Sequence, residues 1–304
     1  MLAALRRTPG IGSDIAQVEP FMKTRGGFFA CLATTRGGAR LFAKCTLSRG
    51  REARFWRVWR EGGIMTEGDH YRLLPPEYVV SGAVSTVLVF PAHPGLPVDR
   101  KKNIANYARR VHKAVRALAD FNSNHTDTAL FDAFPDAGSA DPPRASTLSN
   151  LEATYGFDRE TARLAANELR AVRAAWSKAT APLERAPRCL CHLDMGRGNV
   201  IFERKKATIL DFGHAAIAPA GADLHTILRY TRPREPGRTR FAEIYAAEFG
   251  RKGIDLNVDL ARLAMNARFA ARYTDPGLPS ARHWPVFLDA LETAKALTER
   301  PRDA

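Results

Sequence analysis

The pattern of apolar residues changes once along the chain, at a short proline-rich segment. Before it, from Gln17 to Phe90, runs of β-branched and aromatic residues are separated by glycine turns, which is typical of strands. The segment from Pro91 to Pro97 contains three prolines, and proline cannot continue a central strand. After it, apolar residues recur three and four apart, as in amphipathic helices. The chain is therefore predicted to be an α+β protein with a β-rich lobe (residues 1–92), a mainly helical lobe (residues 93–304) and a cleft between them.

Four strands and one helix are predicted in the first lobe. Phe28 to Thr34 and Arg40 to Cys45 flank a pair of glycines, which supply the positive φ that a tight turn needs, so the two runs predict a hairpin. Lys44 then lies near the end of a strand. Arg51 to Arg60 places an apolar stripe on one side of a helix, with Glu52 in its first turn. The other two strands are predicted at residues 77–80 and 86–90.

Helical periodicity dominates the second lobe. It covers Asp99 to Asp120 and Asp158 to Lys178, and it returns in three stretches after Thr239. Residues 122–150 between the first two helices are rich in Ser, Asp, Ala and Pro and are predicted to be irregular. Short strands are predicted within residues 188–202 and at residues 206–212.

Composition and charge narrow the classes of partner. The chain is 45% apolar and 26% charged, which is ordinary for a globular protein, and its net charge of +14 favours anionic partners. Basic residues are spread along the chain without a Lys/Arg block, so nucleic-acid binding is not expected. The longest apolar stretch, Tyr78 to Ala92, is interrupted by polar residues and is too short to cross a bilayer. With no signal peptide visible, we expect a soluble cytoplasmic protein without a membrane partner.

The residues with the clearest chemical signature form an HxDxxxxN string followed by a DFG. His192, Asp194 and Asn199 make up the first, and Asp211 begins the second, twelve residues after Asn199. Phosphoryl transfer needs a carboxylate at the attacking hydroxyl and oxygen ligands for magnesium on the phosphates. A carboxylate and an amide oxygen are hard ligands that suit Mg²⁺. This order and spacing predict a phosphoryl-transfer site.

The string resembles the catalytic loop of the aminoglycoside phosphotransferase and choline kinase families, which are relatives of the protein kinases. The resemblance implies a protein-kinase-like two-lobed fold, with Asp194 as catalytic base and His192 as the residue that orders the loop. It also implies that Asn199 and Asp211 bind Mg²⁺. The families typically have HGDxxxxN, and Leu193 replaces the glycine here.

The same resemblance assigns residues of the first lobe to the nucleotide. Lys44 matches the strand lysine that binds the α- and β-phosphates, and Glu52 matches the helix glutamate that orients it. The separation of eight residues is short, so Glu61, at the end of the helix, is the alternative partner. Gly26 and Gly27 stand where backbone N–H groups would cover the phosphates, although a plain hairpin turn explains them equally well.

The hinge between the lobes is predicted to bind adenine through backbone groups. Val89, Phe90 and Ala92 are the candidate residues. Farther along, Asp223 lies in a Gly-Ala-Asp-Leu string that resembles a downstream element of the families, and it is predicted to pack and cap in the second lobe.

These expectations describe an enzyme that uses ATP, or alternatively GTP, with Mg²⁺ to phosphorylate a hydroxyl of a small molecule. The positive net charge favours a neutral or anionic acceptor over a polycationic aminoglycoside. Two alternatives remain open at this stage. One is a protein kinase, which the absence of an APE element disfavours, and the other is an inactive nucleotide-binding pseudokinase or scaffold, which the intact Lys44, Asp194, Asn199 and Asp211 disfavour.

Overall fold

The computed structural model describes most of the chain. The described residues are 10, 12–23, 29–92, 110–138, 141–144, 146–196, 198–233, 235–275 and 284–299. Gly26 and Gly27 of the predicted phosphate-covering loop lie outside them, as does the start of the helix predicted from Asp99.

Strands and one helix make up the first part of the chain. Five of its six strands form an antiparallel sheet in the order β1-β2-β3-β6-β5. The six strands are β1 (Ile15–Lys23), β2 (Phe29–Thr35), β3 (Arg40–Leu47), β4 (Tyr71–Leu73), β5 (Tyr78–Ser81) and β6 (Ser85–Pro91). The predicted hairpin is β2 and β3, whose register pairs Ala30 with Lys44. Lys44 therefore has a fixed position on a central strand of the sheet.

Helix α1 (Arg51–Arg60) joins the sheet to the rest of the molecule. It buries Phe55 and Trp56, as its apolar stripe predicts. The ring of Phe55 stacks on Phe212 of the DFG string, with ring centroids 3.8 Å apart, and Trp56 meets the same ring edge-on at 5.9 Å. Because Phe212 is fully buried, this contact fixes α1 against the segment that carries Asp211.

Strand β4 was not predicted, and it lies outside the large sheet. Its three residues pair in parallel with β9 (Ala207–Ile209), which pairs antiparallel with β8 (Val200–Phe202). A strand this short shows no periodicity, and its partner is far away in sequence, so no local signal marks it. The predicted strand at residues 206–212 is correspondingly shorter, because β9 ends at Ile209. Strands β7 (Arg188–Cys191) and β10 (Ala216–Pro219) form a separate antiparallel pair.

Helices form most of the second part of the chain. They are α2 (Val111–Ser123), α3 (Leu148–Tyr155), α4 (Arg159–Thr180), α5 (His225–Thr231), α6 (Gly237–Arg251), α7 (Val258–Tyr273) and α8 (Trp284–Thr298). The last three are the helices predicted after Thr239. The short helices α3 and α5 were missed because two turns are too few for a periodic signal. Within the described ranges, no helix combines the length and apolar character needed to span a bilayer.

His125, which follows α2, is buried between the two parts of the chain. Its Nε2 accepts a hydrogen bond from the Met65 backbone N–H at 3.0 Å, and its Nδ1 donates to the Phe121 carbonyl at 2.6 Å. Both ring nitrogens are thus used by the neutral imidazole. Burial lowers the pKa of His125 to about 4, against the opposing effects of the Phe121 carbonyl and of Asp120. Protonation would therefore cost the folded state free energy.

We expect this histidine to make the fold acid-sensitive. A depressed pKa contributes stability above the unfolded value near 6.5, and this stability is lost as the pH falls toward 4. The shift corresponds to about 3 kcal/mol of unfolding free energy. Glu52 has the opposite effect on stability, because a raised pKa stabilises the fold on acidification. The contribution of His125 is therefore obtained by comparing the pH dependence of the unfolding free energy in wild type and in a variant that lacks this histidine. Urea unfolding of wild type and His125→Gln is measured at pH 7.5 and pH 4.5. The wild type should lose more unfolding free energy than the variant when the pH is lowered. Equal pH slopes would contradict this account.

Candidate active site

A partly buried ion-pair cluster lies where the sheet meets the helical part of the chain. The Nζ of Lys44 is 2.7 Å from Oε2 of Glu52 and 2.8 Å from Oδ1 of Asp211. Glu52 is only 4% exposed, whereas the side chain of Asp211 is 45% exposed. The geometry decides between the two candidate partners on α1, since Glu61 follows the end of the helix and is exposed. Lys44 thus joins a strand, a helix and the DFG string.

Burial and charge act against each other in this cluster. Burial raises the pKa of Glu52 to about 7, although the ammonium of Lys44 opposes the rise. Burial alone would lower the pKa of Lys44, but the carboxylates of Glu52 and Asp211 outweigh it and raise the pKa above its usual value. Burial would likewise raise the pKa of Asp211, yet the effect of Lys44 is stronger and the pKa ends below its usual range. Lys44 therefore stays cationic and Asp211 stays anionic at neutral pH.

The loop after β7 is held in place by the fully buried Asp223. Its carboxylate accepts hydrogen bonds from the backbone N–H of His192 at 2.8 Å and of Leu193 at 2.5 Å. Asn122 of α2 donates to the same carboxylate at 2.9 Å and accepts from the hydroxyl of Tyr245 at 2.7 Å. Asp223 was predicted to pack and cap in the second lobe. The structure shows in addition that its carboxylate holds the backbone that leads into Asp194.

His192 and Leu193 shape the same loop in different ways. Nε2 of His192 is 2.8 Å from the Leu210 carbonyl, and Nδ1 accepts from the Asp194 N–H at 3.1 Å, so the ring bridges the two loops. Leu193 has a φ of 57°, in the region that favours glycine. Leu193, which replaces the glycine of HGDxxxxN, therefore has a backbone conformation that glycine adopts more easily. The leucine side chain is buried, which offsets part of the conformational cost.

The side chain of Asn199 forms hydrogen bonds to Asp194 and lies beside the DFG string. Its Nδ2 donates to the Asp194 carbonyl at 2.8 Å and to Oδ2 of Asp194 at 3.2 Å. Antiparallel pairing of β8 with β9 places Val200 opposite Ile209, and the Leu210 N–H donates to the Asn199 carbonyl at 2.9 Å. Asn199 and Asp211 therefore extend from adjacent strand ends, with the half-buried Asp194 next to them.

The oxygen atoms of Asn199 and Asp211 are too few for a metal site made of protein ligands alone. They fit a magnesium ion that is also bound by phosphates. Among the described residues, no group of three or more His, Cys, Asp and Glu side chains could hold a metal. Mg²⁺ bound to nucleotides usually takes one or two protein oxygens and fills its octahedron with phosphate and water. The Nδ2 of Asn199 donates within the loop, so its Oδ1 could serve as a metal ligand together with the carboxylate of Asp211.

The hinge candidates lie on β6 and just after it. Val89 is fully buried, and Phe90 packs against Trp56 with ring centroids 5.7 Å apart. The Glu77 N–H donates to the Val89 carbonyl, and the Ala92 N–H donates to the Arg40 carbonyl at 2.9 Å. Because the sheet already uses these two groups, an adenine contact at Ala92 would fall on its carbonyl.

Basic side chains that the sequence did not single out line a pocket beside the catalytic loop. They are His214, directly after the DFG string, together with Arg51 of α1 and Arg268 and Arg272 of α7. Single arginines in amphipathic helices look like solvated surface, so only the fold, which brings Arg51, Arg268 and Arg272 to one pocket, reveals the cluster. The three arginines make this pocket basic.

Comparisons with known proteins identify the family. The model of the phosphotransferase enzyme family matches residues 71–265, which is more than half of the chain. The chain therefore belongs to this family, the resemblance drawn from the HxDxxxxN and DFG strings is confirmed, and the protein is an enzyme that transfers phosphate to hydroxyl groups of small molecules. No curated protein sequence matches the chain significantly.

Solved structures give the fold. A choline kinase from Cryptosporidium parvum Iowa II matches with a TM-score of 0.54 at 12% identity, covering 98% of this chain and 92% of that one. The GDP and kanamycin complex of APH(2")-IIia matches with a TM-score of 0.53 at 15% identity, covering 96% of both chains. A thermostable mutant of APH(4)-Ia with AMP-PNP and hygromycin B has a TM-score of 0.53 at 12% identity, covering 95% and 96%. The predicted protein-kinase-like α+β fold is confirmed.

Proposed function

We propose that the protein transfers the γ-phosphoryl group of a nucleoside triphosphate, ATP or alternatively GTP, to a hydroxyl of a small molecule. Asp194 is the catalytic base, and Asn199 and Asp211 hold Mg²⁺. The observation that supports this most is the convergence of Lys44, Glu52 and Asp211 within 2.8 Å, next to the loop of Asp194 and Asn199. Complexes of structural relatives with GDP and with AMP-PNP support nucleotide binding.

Each carboxylate then has a separate task. The acceptor oxygen forms a bond to the γ-phosphorus while the bond from that phosphorus to the β,γ-bridging oxygen breaks, and the nucleoside diphosphate leaves. The hydroxyl proton passes to Oδ1 or Oδ2 of Asp194. Asn199 keeps this carboxylate oriented through the 3.2 Å hydrogen bond from its Nδ2. Bound magnesium would neutralise phosphate charge beside Asp211.

The first lobe supplies the nucleotide contacts in this proposal. Lys44 binds the α- and β-phosphates as a cation, and Glu52 holds the lysine in that position. Adenine lies against the hinge at Val89, Phe90 and Ala92, with the lobe boundary after residue 92. His192 acts on the chemistry indirectly, since it bridges the Leu210 carbonyl and the Asp194 N–H.

The acceptor is expected to be neutral or anionic. A polycationic ligand would have to approach a protein of net charge +14 and a face lined by Arg51, Arg268 and Arg272. Structural relatives with the same fold have been solved in complex with kanamycin and with hygromycin B, so the fold itself does not exclude a cationic acceptor.

A panel assay tests this proposal. Purified protein with MgATP is screened with kanamycin and hygromycin B, with choline, with neutral sugars and nucleosides, and with carboxylated or phosphorylated hydroxy compounds. ADP release measured with a coupled assay should rise with neutral or anionic acceptors and stay near its background with the aminoglycosides. Micromolar Michaelis constants for kanamycin would overturn the acceptor class. Failure of every acceptor to raise ADP release would count against the transferase proposal.

A further inference from the structure

The basic pocket has a volume of about 370 Å³, which is within the range of small-molecule sites. Its lining is strongly asymmetric in charge. The lining residues are Arg51, Leu193, Gly213, His214, Arg268 and Arg272. Three of the six carry guanidinium groups, and none carries a carboxylate. The pocket is therefore a concave site with an excess of positive charge.

The three arginines have no ion-pair partner among the described residues, although Arg268 and Arg272 are partly buried and only Arg51 is exposed. Within the described ranges, none of them lies within 4.0 Å of a carboxylate. Arg51 donates to the His214 carbonyl at 3.2 Å and Arg268 to the Ala137 carbonyl at 3.3 Å, and Arg272 has no hydrogen bond to a described residue. The Nε of Arg268 is buried without a partner. Buried polar atoms are usually paired, so the unpaired Nε of Arg268 is a donor that a bound ligand could satisfy.

The arginines also repel one another. Burial, followed by the charge of Arg272, lowers the pKa of both Arg268 and Arg51, which is the direction expected for crowded cations. The exposed Asp141 offsets part of the charge at Arg268. A bound anion would relieve this repulsion, whereas another cation would increase it.

The pocket opens beside the reacting groups. Leu193 directly precedes Asp194, Gly213 ends the DFG string that begins with Asp211, and His214 follows it. A small molecule bound in the pocket can therefore present a hydroxyl to Asp194.

We propose that Arg51, Arg268 and Arg272 bind an anionic group of the phosphate acceptor, a phosphate monoester or a carboxylate, and this proposal rests on the phosphotransferase function above. Guanidinium groups bind both anions through paired N–H donors, so they fix orientation as well as charge. Anchoring the acceptor at one end orients the hydroxyl at its other end toward Asp194. The three arginines are specificity residues, and the transfer step is unchanged.

Anion binding can be measured without turnover. Inorganic phosphate and, separately, acetate are titrated calorimetrically into wild type, Arg272→Gln and Arg268→Gln. Arg262→Gln is the matched control on α7, because Arg262 pairs with Asp259 outside the pocket. We expect at least tenfold weaker phosphate binding in both pocket variants and unchanged binding in the control. Circular dichroism shows whether each variant folds. If Arg268→Gln does not fold, Arg272→Gln still tests the proposal, because Arg272 has no hydrogen bond to a described residue that the substitution would remove. Equal phosphate binding in wild type and Arg272→Gln would overturn the proposal, as would no binding by wild type.

Sets of one neutral and two anionic acceptors separate this proposal from the function on which it rests. Glycerol is compared with glycerate and glycerol 3-phosphate, and glucose with gluconate and glucose 6-phosphate, at saturating MgATP. In each set we expect at least one of the two anions to have a higher kcat/KM than the neutral compound. The better of the two shows whether the arginines bind a carboxylate or a phosphate monoester. Arg272→Gln should raise KM for that acceptor at least tenfold with little change in kcat, as expected for uniform binding. Equal use of neutral and anionic members would contradict it. Loss of phosphate binding in Arg272→Gln without transfer to any acceptor would leave the pocket standing and refute the function.

Discussion

Asp194→Asn is expected to lower the rate of phosphoryl transfer by about 10² to 10⁴-fold while leaving nucleotide affinity nearly unchanged. The substitution keeps the size of the side chain, and the new amide oxygen can still accept the hydrogen bond from Nδ2 of Asn199. What is lost is the carboxylate that takes the hydroxyl proton. Lys44, Glu52 and Asp211, which bind the nucleotide in our proposal, are untouched.

The measurement is single-turnover transfer with excess enzyme, combined with a titration of fluorescent ATP analogue. Asp255→Asn is a suitable control, because it removes one exposed carboxylate from the loop between α6 and α7. A turnover rate within a few-fold of wild type would remove Asp194 from the role of base. A parallel loss of nucleotide affinity would show that the substitution acts on the cleft as a whole.

Asp211→Asn is expected to abolish the magnesium dependence of nucleotide binding and to weaken MgATP binding by at least tenfold, about 1.4 kcal/mol. Asp211 supplies the anionic ligand of the proposed metal site, and an amide oxygen coordinates Mg²⁺ more weakly than a carboxylate. Lys44 retains its 2.7 Å pair with Glu52 in this variant, so the lysine remains positioned. The substitution still removes the 2.8 Å ion pair of Lys44 with Asp211, so a variant at Glu52 is needed to separate the effect on the metal from the effect on Lys44.

Calorimetric titration of ATP with and without 5–10 mM MgCl₂, roughly the excess needed to saturate a weak magnesium site, tests this expectation. Wild type should bind ATP more tightly with magnesium, and Asp211→Asn should give nearly the same affinity in both conditions. If magnesium strengthens binding equally in both proteins, the metal is held elsewhere. Glu52→Gln is a useful companion variant, because it perturbs Lys44 without touching the metal ligands.

The proximity of Asp194 and Asn199 could be predicted from the sequence because it depends on residue types at fixed local spacing. Asp194 and Asn199 lie five residues apart in one loop, and the structure joins them by hydrogen bonds of 2.8 and 3.2 Å. The Lys44–Glu52 pair was predicted from the resemblance alone, since the short spacing left Glu61 as a competitor. Packing of Phe55 on Phe212 turns the start of α1 toward Lys44, and this contact is not visible in the local pattern.

The basic pocket could not be predicted, because its members come from separate parts of the chain. Arg51 begins α1, whereas Arg268 and Arg272 lie in the last two turns of α7. Their spacing of four residues places both on one helical face, which is a weak signal among the many arginines of this sequence. Strand β4 was missed for a related reason, since its pairing with β9 is set by tertiary contact.

The central claim, phosphoryl transfer to an acceptor hydroxyl at Asp194, is tested most directly by following the γ-phosphoryl group itself. ATP labelled in the γ-phosphate is incubated with wild type or Asp194→Asn, Mg²⁺ and the best acceptor from the panel, and the products are separated and identified by mass spectrometry. The account predicts that wild type places the label on the acceptor as a phosphate ester and that Asp194→Asn does so at least 100-fold more slowly, the lower bound for loss of a general base. Label found only in inorganic phosphate, or transferred equally fast by Asp194→Asn, would contradict it.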